Sequence, residues 1–521
     1  MREAVGRCLD RCVKLLWLAS ALAVIASPAT AASSAGRPEW IEVAPEGHYF
    51  QTASGAPFIV IGQNDAITWP YLSDLLVAGD VGSVRGYLER LRESGVNTMR
   101  VMFEYAQFQF GLAENPLGEF RQPVVEFWDR FIELAEEYGI YLIVTPWDPF
   151  WMQREWDENP YNVENGGIMA DMKGFLTDPD AVAAQKRRFA FMVDRWGGSP
   201  AILAWELMNE IELWWGARPR EIADWISEMA RFIRQRELER YGRTHLLTAS
   251  LATPFPGPEL VEAVLAHPDL DFATTHQYAG PAVNAPVNTV DAADAVALAT
   301  AYAKMQLPDG RPYLDTESGP IDAWIPDGDF DAEYYHNMSW AHLASGGAGQ
   351  GLRWPYRNPH VLSDEMRAVQ AGMARFVKAF DWRGFVPRPI DRFAEVRSGT
   401  GSSGRINVYG VGDERRMLLW LLDMAPARRE SVTATEGARL VIRYADWAEA
   451  NGVRPPTASG STADGTAGSG ATSTAVVEFW DTRLGGKTLE ISLTVEPGAA
   501  WEIPLPRFEG DLAIAIYLKG A

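Results

Sequence analysis

Between about positions 38 and 380, apolar residues fall into two patterns that alternate along the chain. Short unbroken apolar runs are followed by longer stretches in which apolar residues return every three or four positions. The first pattern predicts buried strands and the second amphipathic helices. Strands are expected at Phe58–Ile61, Thr98–Met102, Ile140–Val144, Ile202–Met208, Leu246–Thr248, Phe272–Thr275, Tyr313–Leu314 and Gln350–Arg353. Helices are expected at Val81–Glu93, Val124–Tyr138, Asp180–Trp196, Glu221–Glu237 and Asp331–Ala344. A series of strands each followed by a helical stretch predicts an α/β fold, a (β/α)8 TIM barrel over residues 38–384. No Gly-rich phosphate turn follows the first strand, which argues against an open dinucleotide-binding sheet.

After about residue 385 the helical period stops and strand-like runs take over. They lie at Ile406–Gly410, Met417–Leu422, Leu440–Tyr444, Val476–Trp480, Leu489–Val495 and Leu512–Tyr517. Their spacing predicts a small C-terminal antiparallel β-sandwich over 385–521. Residues 455–475, rich in Gly, Ser, Thr and Ala, are expected to be a disordered loop within it.

The first 31 residues carry a different signal. Arg2, Arg7, Arg11 and Lys14 precede the apolar run Leu15–Ala26, and Ala29-Thr30-Ala31 supplies small residues for cleavage. This is the pattern of a signal peptide, and it predicts a secreted or periplasmic protein with no membrane contact after cleavage. Both cysteines, Cys8 and Cys12, lie in that segment. The mature chain would hold no disulfide, thiol nucleophile or Cys-ligated metal. Removing a segment with four basic and two acidic residues takes the formal charge from −22 to −24. So acidic a surface disfavours nucleic acid as a partner. Nothing in the sequence sets an oligomeric state.

The barrel pattern gathers polar and aromatic residues where active sites form, at the C-terminal ends of strands. They are Asn64, Arg100, Trp147, Asp148, Asn209, Glu210, His276, Tyr278, Glu317 and Trp354. Taken singly, each has a structural explanation: Glu210 as a helix N-terminal acid, Arg100 as an ion-pair partner, His276 as a satisfied core histidine. Together they are hard to explain by packing, because buried ionisable groups are costly unless paired. Two carboxylates ending two separate buried strands suit retaining glycoside hydrolysis, in which one protonates the leaving oxygen and the other attacks the anomeric carbon.

Asn-Glu ending strand 4, His-x-Tyr after strand 6, Glu ending strand 7, Arg on strand 2 and Trp ending strand 8 resemble the clan A glycoside hydrolases, and among them glycoside hydrolase family 5, which includes cellulases and mannanases. The resemblance covers the barrel. It implies Glu210 as acid/base and Glu317 as nucleophile. It further implies that Asn209 binds the sugar 2-hydroxyl, Tyr278 holds the nucleophile, and Arg100 stabilises the nucleophile's charge. His276 would support the acid/base residue or the substrate, and Trp354 would lie under the sugar at the cleavage point. The chain departs from the family at Thr145-Pro146-Trp147-Asp148, where many members carry a histidine. Trp147, Asp148 and Asn64 join the expected substrate-binding set. No cofactor and no metal are expected. The expected partner is a neutral β-linked polysaccharide or oligosaccharide, cut by a mannanase-like or cellulase-like activity. The run Phe175–Pro179 before a helix leans to the mannanase side. A non-catalytic carbohydrate-binding protein and a transglycosylase are the alternatives on the same barrel.

Overall fold

The computed structural model describes residues 38–105, 112–279, 286–307, 310–320, 330–355, 360–397, 405–426, 430–453, 472–496 and 498–519. The expected signal segment lies outside them. So do residues 455–471 of the expected loop, whereas Ser473–Ala475 of that loop already form the start of a strand.

Parallel strands dominate the first part. In chain order they are β1 (Gly62–Ala66), β2 (Thr98–Met102), β3 (Tyr141–Thr145), β4 (Ile202–Glu206), β5 (Leu246–Thr248), β6 (Ala273–Ala279) and β7 (Tyr313–Pro320). Each of β1 to β4 pairs in parallel with the next. Ser250–Leu251, just beyond β5, pairs with β6, and β6 pairs with β7. Arg353 bridges Ser318 of β7 and Gln63 of β1. Parallel neighbours therefore follow one another from β1 back to β1. The helices between them are α1 (Val81–Glu93), α2 (Gln122–Tyr138), α3 (Pro179–Trp196), α4 (Pro219–Tyr241), α5 (Pro286–Gln306), α6 (Asp331–Ala344) and α7 (Asp364–Ala379).

Two expected strands are displaced. Phe58 belongs to a small antiparallel hairpin with Phe50, and β1 starts at Gly62. The polar run Gln63-Asn64-Asp65 hides this strand from a hydrophobicity reading. It is fully buried, but its polar groups are satisfied: Gln63 Nε2 donates to the Tyr87 hydroxyl (2.8 Å), which donates to Asp65 Oδ2 (2.6 Å). Gln350–Arg353 contributes the bridges of Arg353 rather than a run of ladder pairs. α5 and α7 did not stand out as helices in the sequence.

The C-terminal part holds two antiparallel sheets. Its strands are β8 (Arg388–Pro389), β9 (Ala394–Arg397), β10 (Ile406–Gly412), β11 (Arg416–Asp423), β12 (Arg439–Ile442), β13 (Ser473–Asp481), β14 (Gly486–Val495), β15 (Trp501–Pro504) and β16 (Asp511–Lys519). The order is β8-β10-β11-β16-β13-β14 in one sheet and β9-β12-β15 in the other. Leu419, Val477 and Ile514 from the first share a core with Leu440, Ile442 and Ile503 from the second. The strand expected to reach Tyr444 stops at Ile442, and Tyr444–Ala450 is helical. The opposite face of the larger sheet is also apolar. Its Tyr409, Trp420 and Trp480 join Trp340 and Phe376 of α6 and α7 in one continuous core.

Candidate active site

Arg100 organises the centre. It is wholly buried on β2, so its charge must be met inside the protein. Nε and Nη2 form a two-pronged pair with Glu206 on β4, at 2.5 and 2.9 Å. Nη1 donates to Glu317 Oε2 (2.9 Å) and Asn64 Oδ1 (2.7 Å), and Nη2 to Asn209 Oδ1 (2.7 Å). Asn64 is equally buried, and its amide nitrogen donates to the carbonyls of Thr316 and Leu352. Neither Arg100 nor Asn64 has surface left to meet a ligand. The expectation that they contact substrate gives way to a role in holding the two carboxylates and Asn209.

Glu317 also accepts a hydrogen bond from the Tyr278 hydroxyl. Burial, and then the charge of Glu317, push the Tyr278 phenol well above its ordinary range, so it stays a donor. Glu206 illustrates how burial and pairing compete. Burial favours its neutral form, but the charge and hydrogen bonds of Arg100 prevail and hold it below the usual carboxylate range.

Glu210 is in the opposite state. Burial, with the nearby charge of Glu206 and against the pull of Arg100, lifts its carboxyl to about 7. Its Oε1 lies 2.7 Å from His276 Nδ1. Burial takes that imidazole down to about 4, so it is neutral, and its Nε2 is buried without a partner among the described residues. Glu210 also has left-handed backbone, with φ 42° and ψ 52°. Such a conformation costs a non-glycine residue about 1–3 kcal/mol and persists only where its surroundings fix it. Here the N–H of Glu210 is held by Ser250 Oγ (2.9 Å) and its carbonyl by Leu213 N–H (2.8 Å).

One ligand atom each from Glu210, His276 and Glu317 lie within 4.8 Å of one another. The three could in principle hold a metal ion. Against that reading, Glu317 already faces a cation in Arg100, and the Nδ1 of His276 is engaged by Glu210.

Asn209 connects this centre to Asp148. Its amide nitrogen donates to Asp148 Oδ1 (3.1 Å) and its backbone N–H to the Trp147 carbonyl (3.0 Å). Burial raises the Asp148 carboxyl to about 7, helped by Glu210 and Glu317 and opposed by the Asn209 hydrogen bond. The Trp147 side chain goes elsewhere. At 1% exposure it packs in the core against Phe189 and Phe175 (ring centroids 5.1 and 6.2 Å), with the Arg188 guanidinium 5.1 Å above it. Its expected place in the substrate-binding set is therefore corrected, because an apolar pocket absorbs the ring. Trp354 donates its backbone N–H to the Ser318 carbonyl beside Glu317, and its ring packs with Trp69 and Tyr105. Asp148, Asn209, Tyr278 and Glu317 are thus joined by hydrogen bonds through Arg100, and the Glu210–His276 pair lies beside them, one ligand atom each from Glu210, His276 and Glu317 falling within 4.8 Å.

Glu206 was missed by the sequence reading, as were Ser250 and Thr145, whose hydroxyl donates to Glu206 (2.9 Å). Glu206 could have been found. It is a lone charge inside an otherwise apolar strand, which must be paired, and Arg100 is the one other such charge already noted.

The sequence profile of the cellulase family, glycosyl hydrolase family 5, matches residues 64–338, more than half of the chain, and the chain belongs to that family. Relatives include a probable mannan endo-1,4-beta-mannosidase A-1 of Aspergillus terreus, 30% identical over 162 residues, covering 29% of this chain and 39% of the relative. Mannan endo-1,4-beta-mannosidase 1 of Oryza sativa is 26% identical over 270 residues, covering 44% and 59%. The chain thus spans 39% and 59% of the length of these relatives. A solved glycoside hydrolase family 5 structure from Bacteroides vulgatus covers 92% of this chain and 93% of its own at a TM-score of 0.52 and 12% identity. A second, titled glycoside hydrolase, covers 93% and 98% at a TM-score of 0.52 and 13% identity. At such identities the likeness is one of fold.

Proposed function

We propose that the protein is a retaining β-glycoside hydrolase, built on a (β/α)8 barrel over residues 38–384 with a β-sandwich over 385–521, and exported after loss of residues 1–31. Its substrate is a neutral β-linked polysaccharide or oligosaccharide, with β-mannan first among the candidates. The mannan assignment draws support from the names of the curated relatives.

One observation carries the mechanism: a carboxyl oxygen of Glu210 and one of Glu317 lie within 4.8 Å of each other. Retaining enzymes keep their two carboxyls about 5–5.5 Å apart, whereas inverting ones leave roughly 6.5–9.5 Å for a water molecule. The protonation states support the same division of labour. Glu210, lifted to about 7, keeps its proton below that pH, well above the range of an ordinary carboxyl, and suits the acid. Glu317, bonded to Arg100 and Tyr278, suits the nucleophile.

In the first step Glu317 Oε attacks the anomeric carbon, the glycosidic C–O bond breaks, and the Glu210 proton passes to the leaving oxygen. Glu317 is then a neutral ester and Glu210 an anion. Glu210 takes a proton from water as that water attacks the anomeric carbon of the ester, and the bond from that carbon to the Glu317 oxygen breaks, which frees the sugar and restores both groups. Asn209, with its oxygen fixed by Arg100 and one N–H on Asp148, keeps its second N–H for the sugar hydroxyl beside the reacting carbon.

The test is a panel of mannan, glucomannan, cellulose oligosaccharides and aryl β-glycosides, followed by proton NMR of the first-formed anomer. Cleavage with β product is expected. An α first product, or catalysis that survives in Glu210→Ala and Glu317→Ala, would overturn the reading.

A further inference from the structure

The two oxygens of Glu317 are held by different donors. Oε2 accepts from Arg100, which Glu206 shares, and Oε1 accepts from the Tyr278 hydroxyl. The aim of the nucleophile therefore depends on where the Tyr278 ring stands. In the pairing of β6 with β7, His276 lies opposite Glu317 and Tyr278 opposite Gly319, so these four positions share one face. A side chain at 319 would project beside both Tyr278 and Glu317. The chain has none there, although the backbone of Gly319 is not in the left-handed region that calls for glycine. Space is the reason. A Cβ at Gly319 would fall on Arg353 Nη1, 3.0 Å from the guanidinium carbon and 3.6 Å from Tyr278 Cε1.

The Arg353 guanidinium thus occupies the place in this row that a side chain on β7 would otherwise take. It is buried and fixed there. Nη1 donates to the Ser318 carbonyl (3.3 Å), and Nη2 lies 3.7 Å from Asp331 Oδ1 at the head of α6. Its backbone bridges Ser318 of β7 and Gln63 of β1, so the side chain leaves from a pinned point. Burying a guanidinium is costly, and an alanine at 319 would fill part of the same space without that cost. What the guanidinium adds is charge. Against the rise that burial and Glu317 impose on the Tyr278 phenol, the charge of Arg353 pulls it down. A cation beside the phenol makes its hydroxyl a stronger donor to the carboxylate.

We propose that Arg353 is a positioning residue for the nucleophile: seated on Gly319, its guanidinium holds the Tyr278 ring and the end of β7 in the one arrangement that brings the hydroxyl onto Glu317. The assignment rests on Glu317 as the nucleophile, proposed above, and adds to it a residue that acts on Glu317 through Tyr278. Gly319 and Arg353 then work as a pair, the glycine leaving the space that the guanidinium fills.

The test uses 2-deoxy-2-fluoro-β-mannosyl fluoride and its β-glucosyl counterpart. Fluoride leaves with little help from the acid, and the fluorine at C2 slows hydrolysis of the ester, so covalent labelling reads the attack of the nucleophile alone. Wild type should be labelled at Glu317, located by mass spectrometry of the peptide. Arg353→Met and Gly319→Ala should each lower the limiting rate of labelling about 10²-fold, the cost of a misplaced reacting group, with the dissociation constant of the fluoride unchanged. Arg353→Lys should recover part of the loss. The double variant Gly319→Ala/Arg353→Met should be no slower than Arg353→Met, because both substitutions break one contact. If Gly319→Ala fails to fold, Arg353→Met and Arg353→Lys still read that contact. Folded variants that melt at lower temperature yet label at the wild-type rate would overturn the positioning role, as would losses that multiply in the double variant. Label found on a residue other than Glu317 in wild type would instead overturn the nucleophile assignment, and the positioning with it.

Discussion

Glu210 and Glu317 bear the same functional group, and the residues around them set the difference between them. One cation, Arg100, is shared by Glu206 and Glu317, leaving Glu210 to respond chiefly to its burial. The consequence for pH has a definite sign. In the proposed mechanism Glu210 acts as an acid and works only while protonated, so kcat/KM should decline as pH rises through about 7, the value to which burial lifts it. Glu210→Gln should abolish that alkaline limb on an aryl glycoside with an acidic leaving group, and should slow substrates with poor leaving groups about 10²–10⁴-fold. A pH–rate profile of the two proteins checks both. Replacing Arg100 with Met would strand two buried carboxylates. Destabilisation of about 3–5 kcal/mol is expected, measured by chemical denaturation, together with loss of activity. Arg100, Asn209, Glu210 and Glu317 could be read from the sequence because each breaks an apolar run with a polar group. The conformation of Glu210 could not, since nothing local to Glu210 specifies a positive φ. It is imposed from a distance by Ser250 on another strand.

The scale of single elements shows where hydrophobic pattern informs and where it misleads. β2 and α1 were placed residue for residue, because each shows a clean period and, for α1, Asp80 stands ready to cap it through the Ser83 N–H. β1 was displaced because its buried face is polar and is satisfied by Tyr87, Thr316 and Leu352 from elsewhere in the chain. α5 lacked a signal because its apolar residues surround the helix: one side meets the core of the parallel strands, while Leu298 and Met305 are exposed. Trp147 fails in the same way as β1. The end of a strand can point a side chain into the core as readily as toward the cleft, and sequence does not say which. Trp147→Ala should therefore act mainly on stability, by about 3–5 kcal/mol as for other buried tryptophans. Denaturation and KM measured together would show it; a large rise in KM with unchanged stability would return Trp147 to the binding surface.

At the scale of the whole molecule, the C-terminal sheets are tied to the helices that surround the parallel strands. Trp480 packs against Phe376 (centroids 5.5 Å) and Tyr517 against Phe380 (5.8 Å). Within this apolar contact, His336 Nε2 of α6 lies 2.8 Å from Asp511 Oδ2, which also accepts the Trp420 indole N–H at 2.7 Å. α6 follows directly in sequence from the β7 region that bears Glu317, so the sheets support the frame of the site. A chain ending at residue 384 would expose Trp340, Phe376 and Phe380 as one patch. It should be insoluble or aggregated by size-exclusion chromatography, and a soluble truncation with full activity would refute a supporting role. The change of pattern near residue 385 was visible in the sequence, because strand period and helix period differ. The contact between the two parts was not, since the alternation of a strand does not reveal that both of its faces are covered.

The division of labour between the two glutamates is the centre of the account, and Glu317→Ala in the presence of azide tests it most directly. With an aryl β-glycoside, the variant should be inert alone and recover turnover with azide, releasing the α-glycosyl azide. Azide takes the place vacated by the carboxylate and inverts the anomeric centre in a single displacement. A β-glycosyl azide, or a Glu317→Ala variant that turns over without azide, would contradict Glu317 as the nucleophile.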